Sequence, residues 1–169
     1  MAELAAPRRA MRVRGNLFRT PGALAHQVNV LSVDFIEFWN LHVFDIFPSA
    51  ELPFDLCVPG TCVTVPVHHP RYATTHVCNL FAHLPPRNCD DADARIALLD
   101  RALEQLALHA IVYEFAQINF PRGIGCGDWR VYKARIHALA ARVPCPVAIV
   151  KSPFSQLSPY PASGNAGPE

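Results

Sequence analysis

The residue types best suited to chemistry stand together in one stretch, Pro121-Arg122-Gly123-Ile124-Gly125-Cys126-Gly127-Asp128-Trp129. Three glycines in five positions let a backbone approach a phosphate closely. A helix beginning at Trp129 adds free amides and a positive dipole end, both favourable to an anion. Asp128 fits the N-cap of that helix. By itself a Gly-x-Gly-x-Gly run is equally the signature of a turn, which uses glycine for dihedral freedom alone.

Histidine and cysteine offer a second possibility. His68, His69, His76 and His83, with Cys57 and Cys62, are zinc-ligand types, but zinc needs four convergent ligands, as a rule in two close pairs. Alternation along residues 72–81 puts His76 and Cys78 on one face of a strand and leaves the other candidates uncommitted. No metal and no cofactor are expected. Cys126 lacks a base, because the nearest histidine in sequence, His137, lies well along the following helix. The six cysteines (57, 62, 78, 89, 126 and 145) are irregularly spaced in a chain that builds its own core, so reduced, buried thiols are expected.

The chain's 169 residues, 51% of them hydrophobic, suit one domain. Fifteen basic against 14 acidic side chains leave a net charge of +1, which carries no electrostatic footprint of a nucleic-acid binder or a polybasic membrane anchor. Apolar runs stop well short of the roughly 20 residues a membrane helix needs, and no signal-peptide core is visible. The expectation is an intracellular protein, cytoplasmic or nuclear, whose partner is a small ligand or another protein.

These residues must be positioned by alternating elements. Residues 11–16 and 23–31 predict strands, the second nearly continuous in Leu24, Ala25, Val28 and Val30, as for a strand buried on both faces. Asp34 caps a predicted helix to Ile46, apolar almost all round through Phe35, Ile36, Phe38, Trp39, Leu41, Val43 and Phe44. Residues 62–67 and 72–81 predict an antiparallel pair turned at His69 and Pro70. Asp90, Asp91 and Asp93 open a helix with Ile96, Leu99, Ala102, Leu103, Leu106 and Ala107 at helical spacing. Strand 111–120, helix 129–142 and strand 147–151 complete the pattern. The implied fold class is a three-layer α/β/α domain with a mixed, mostly parallel sheet over residues 11–151. Residues 1–10 and the Pro/Ser/Gly-rich 152–169 are expected to be a disordered extension and a flexible tail.

The run Asn119 to Trp129 resembles the macrodomain segment in which a strand ends at Pro, an Ile-Gly-Cys-Gly loop follows and Trp opens the last long helix. Arg14-Gly15-Asn16-Leu17-Phe18 is similar to that family's opening Gly-Asp-Leu-Phe strand, and Leu24 to Asn29 to its buried second strand ending in Asn. The resemblance covers roughly 11–151. It comes nearest to the branch of terminal ADP-ribose protein glycohydrolases and small phage or viral macrodomains.

What the resemblance implies is a cleft beyond the strand ends that holds ADP-ribose or an ADP-ribosylated protein. Asn16 and Leu17 would lie at the adenine, Gly123, Ile124, Gly125, Cys126 and Gly127 at the diphosphate, Asn29 at the distal ribose, and Asp128 would take part in hydrolysis of the ribosyl bond or of ADP-ribose 1''-phosphate. Three departures stand out. Asn16 replaces the usual Asp, no glycine occurs from Ala23 to Pro59 where a Gly-rich loop is expected, and only Asp128 separates Gly127 from Trp129. Displacements near 1 Å penalise hydrolysis more than binding. A hydrolase, a reader of ADP-ribose and a degenerate scaffold binding a protein through the helix spanning Phe35 to Phe47 therefore all remain open.

Overall fold

The computed structural model describes residues 8–29, 50, 53–83, 92–122 and 128–151. Its strands are β1 (Met11–Arg14), β2 (Gly22–Asn29), β3 (Cys62–Pro66), β4 (Thr74–His83), β5 (Ile118–Pro121) and β6 (Val147–Lys151). Its helices are α1 (Ala92–Val112) and α2 (Trp129–Ala140). The six strands form one sheet in the order β1-β6-β5-β2-β4-β3. Every neighbouring pair is parallel except β3 with β4, which is antiparallel with Thr64 opposite Cys78. The fold is thus the expected α/β architecture with a mixed, mostly parallel sheet.

Alternation explains why the strands read as near-continuous apolar runs. Cys78, Leu80 and Ala82 of β4, with Ala23 and Ala25 of β2, pack beneath Leu99, Leu103 and Leu106 of α1 and Ile136 and Leu139 of α2. The intervening Val77 and Phe81, with Leu24 and Val150, join a second core on the opposite face, which Leu17, Phe18, Ala50 and Cys57 cover. Both helices lie on one face of the sheet. The helix expected between Asp34 and Ile46, and with it the apolar surface from Phe35 to Phe47, lies outside the described residues.

Several boundaries differ from the sequence reading. The strand expected over 11–16 ends at Arg14, because Asn16 caps a short 3-10 turn at Leu17–Arg19. The strand expected from Ile111 starts at Ile118. Helix α1 runs on through Val112, anchored by buried Leu106 and Ala110, and Glu114 at φ 50° ends it. Tyr72 belongs to the turn, bridging to His69, and not to β4. Helix α2 stops at Ala140, where the Ala141 amide bonds back to His137. At the N-terminus, Arg8 donates to the Pro144 carbonyl at 2.9 Å and buried Ala10 donates to His137 Nδ1 at 3.2 Å. Residues 1–7 and the tail from 152 onward are outside the described set.

Gly22 is a fixed point of this frame. Its φ of +112° favours glycine, and a Cβ there would collide with the Gln117 backbone. The same crossing is held by Ala23 N donating to the Gln117 carbonyl at 2.7 Å and by buried Asn119, whose amide donates to the Pro21 carbonyl at 2.9 Å. Entry into β2 and entry into β5 are therefore locked together.

Candidate functional site

Because β1, β6, β5, β2 and β4 are mutually parallel, their carboxyl ends fall along one edge of the sheet. The chain leaves that edge at Arg14, Lys151, Pro121, Asn29 and His83 in spatial order. Ligands of open α/β sheets settle beyond such ends, where loops run into helix N-termini. Two backbone bonds extend the ladder past the strands, Gly15 N to the Lys151 carbonyl at 3.3 Å and Arg122 N to the Val150 carbonyl at 3.0 Å. The Asn16 turn and the loop after Arg122 consequently flank the end of β6.

Asn16 is the N-cap of the 3-10 turn, and its Oδ1 accepts from the Phe18 amide at 2.9 Å. A carbonyl oxygen keeps a second lone pair, and the side-chain NH2 remains a donor group. Asp128 caps α2, accepting from the Arg130 amide at 2.8 Å, and its side chain is exposed. The bland capping role is thus real for both residues, and it fixes their side chains at this edge. Leu17 is buried at 3% exposure, its side chain in the second core. Asn29 ends β2 at this edge. Gly123, Ile124, Gly125, Cys126 and Gly127 lie outside the described residues.

Among the described residues, three cations stand at the ends of β1, β6 and β5. Arg14 and Lys151 are register partners across β1 and β6, and Arg122 follows Pro121, the partner of Val150. All three are exposed, and among the described residues none forms an ion pair. Like charges on neighbouring strands repel, an arrangement that an anion between them relieves. The first turn of α2 carries no acid beyond its Asp128 cap.

No protein-family model matches the sequence, and no curated protein does. Among solved structures the chain is similar to the macrodomain of Mycobacterium tuberculosis DarG, with TM-score 0.61 and 19% identity over 85% of this chain and 99% of that one. It is similar too to the macrodomain of Thermus aquaticus DarG, with TM-score 0.60 and 18% identity over 85% and 98%. The chain has the macrodomain fold.

Within this macrodomain fold two side-chain constellations escape the sequence motifs. In β2, buried His26 is the register partner of Asn79 in β4, and its Nε2 lies 2.7 Å from Asn79 Oδ1. Asn79 Nδ2 donates to the Val63 carbonyl at 3.3 Å, which turns Oδ1 toward the ring and makes Nε2 the donor. Burial pushes the imidazole down to about 4, with the Asn79 bond opposing. The second constellation is Cys62, Thr64, Cys78 and His109, beneath the carboxyl-terminal half of α1.

The histidines weighed as metal ligands are dispersed. His76 packs on Tyr113 and Phe115, with ring centroids 5.4 and 5.0 Å away, while His69 Nδ1 accepts from the Arg71 amide. Among the described residues no group of three or more His, Cys, Asp or Glu is arranged to hold a metal ion. Cys57, Cys62, Cys78 and Cys145 are free thiols, all buried. Among the described residues no helix is long and apolar enough to cross a membrane.

Proposed function

We propose that this chain binds ADP-ribose, free or as an ADP-ribosyl group on a protein, along the carboxyl edge of the sheet. The observation that carries the reading is the row Arg14, Lys151 and Arg122 beside the Asn16 cap, on a fold similar to the DarG macrodomains. A diphosphate supplies the charge this row lacks. Asn16 accepts from or donates to the adenine edge, Leu17 offers its backbone, residues 123–127 wrap the diphosphate, and Asn29 orients the distal ribose.

Hydrolysis is the finer reading. In this reading Asp128, an exposed carboxylate at the start of α2, acts as general base on a water at the distal ribose. The motifs from Asn119 to Trp129 favour the branch of terminal ADP-ribose protein glycohydrolases and small phage or viral macrodomains. An intracellular setting, cytoplasmic or nuclear, suits the four described free thiols. Incubation with a mono-ADP-ribosylated protein tests it. Release of ADP-ribose by the wild type but not by Asp128→Ser, which keeps a capping hydroxyl, supports hydrolysis, whereas equal release by both removes Asp128 from the reaction.

A further inference from the structure

We propose that Cys62, Thr64, Cys78 and His109 form a peroxide-reactive dithiol site, in which a hydroperoxide oxidises Cys62 and Cys78 then closes a disulfide onto it. The site lies on the helix-covered face of the β3–β4 hairpin and shares no residue with the ligand edge.

The argument begins with register. Cys62 stands opposite Leu80 and Thr64 opposite Cys78, so the two cysteines are diagonal neighbours on one face of an antiparallel pair. Thr64 Oγ1 joins them, donating to Cys78 Sγ at 3.4 Å and lying 3.8 Å from Cys62 Sγ. The same hydroxyl is 2.7 Å from His109 Nδ1 on α1. Because the one Thr64 hydroxyl proton goes to Cys78, His109 Nδ1 is the donor to Thr64 Oγ1, and imidazole, hydroxyl and the two thiols form one hydrogen-bonded cluster. Gln105 fixes the near end, its Oε1 accepting from the Cys62 amide at 2.8 Å.

The two sulfurs are differentiated. Hydrogen bonding from Cys78 and His109 pulls the Cys62 thiol down to about 6 against the opposing effect of burial, while burial and the neighbouring Cys62 hold Cys78 far above the usual thiol range. Cys62, at 4% exposure against 0% for Cys78, is the sulfur that an oxidant meets first, and Cys78 is the resolving thiol. Cys57, buried without such a partner and pushed up to about 11, is an internal control. Strand β3 is the sheet's edge strand, paired on one side only. A disulfide requires this diagonal pair to move from the β3–β4 register to a Cβ separation of roughly 4 Å.

The chemistry balances. Cys62 gives its proton to water, and the thiolate attacks the terminal oxygen of the hydroperoxide. The O–O bond breaks as the S–O bond forms, and the leaving alkoxide or hydroxide takes a proton from water. Cys62 is oxidised to the sulfenic acid by two electrons and the peroxide is reduced to an alcohol or water. Cys78 sulfur then displaces the hydroxyl, giving the disulfide and one water.

The test is oxidation of the full chain with hydrogen peroxide at pH 7, followed by alkylation and peptide mass spectrometry. The expected result is a Cys62–Cys78 disulfide forming at least about tenfold faster than Cys57 is lost. Cys78→Ser should stop at a dimedone-trappable sulfenic acid on Cys62, and His109→Gln should slow Cys62 oxidation with an unchanged circular dichroism spectrum. The wild-type rate should fall as pH drops below about 6. Cys62 and Cys78 remaining alkylatable as long as Cys57 would overturn the site, and a wild-type Cys62 sulfenic acid beside reduced Cys78 would overturn the disulfide step.

Discussion

His26 Nε2 donates to Asn79 Oδ1 at 2.7 Å between neighbouring strands in the middle of the sheet. A buried imidazole held neutral in this way makes stability pH-dependent. Its folded value of about 4 lies below the ordinary 6.5, so the unfolded chain takes up the proton first as pH falls. Stability from this group is complete above pH 6.5 and is lost progressively toward pH 4, by up to about 3 kcal/mol. Urea unfolding between pH 4 and 8 reads the slope. His26→Leu should flatten it over this window while lowering stability at pH 7, because Asn79 loses its partner.

Gly22→Ala should destabilise by about 2–3 kcal/mol, since φ is +112° and the added methyl meets the Gln117 backbone. Gly15→Ala is the contrast in space alone, because its φ of +157° also strains a side chain but nothing lies within 4 Å of a Cβ there, so its loss should be smaller. A thermal melt of both variants checks the difference, and equal losses would contradict the packing described at Gln117.

How far this was legible in the sequence depends on the range of each interaction. The core of β4 is apolar on both faces and α1 has apolar residues at helical spacing, so both were evident from local pattern. The start of β5 was not, because Ile111 and Val112 have strand-forming side chains yet continue a helix whose register was set by Leu99 to Ala110. The Asp128 cap was legible because capping is local chemistry, whereas Asn16 falls at the end of the strand expected over 11–16. His26 with Asn79 and Thr64 with His109 were not, since they meet across 53 and 45 positions. The available signal was a histidine and an asparagine each inside a buried strand, where a polar group must find a partner.

Asp128 serves two roles that substitutions separate. Asp128→Ala should cost about 1 kcal/mol of stability through loss of the α2 cap, and Asp128→Ser much less. If hydrolysis belongs to the carboxylate, both lose it equally. Chemical denaturation beside the release assay distinguishes them, and activity that tracks stability would point to the cap alone.

The cationic row predicts a salt-sensitive complex. Raising ionic strength should weaken ADP-ribose binding, and Arg122→Glu should both reduce affinity by roughly tenfold and flatten the salt dependence. Titrations at several salt concentrations check this. An affinity indifferent to salt would remove Arg14, Lys151 and Arg122 from the diphosphate site.

The central claim is that the carboxyl edge is a working ADP-ribose site, and isothermal titration of the purified protein with ADP-ribose tests it without presupposing a reaction. The account predicts micromolar binding, weakened by Asn16→Ala in a protein that still melts cooperatively. Silence at millimolar ligand would contradict it and leave the macrodomain fold serving contact with another protein.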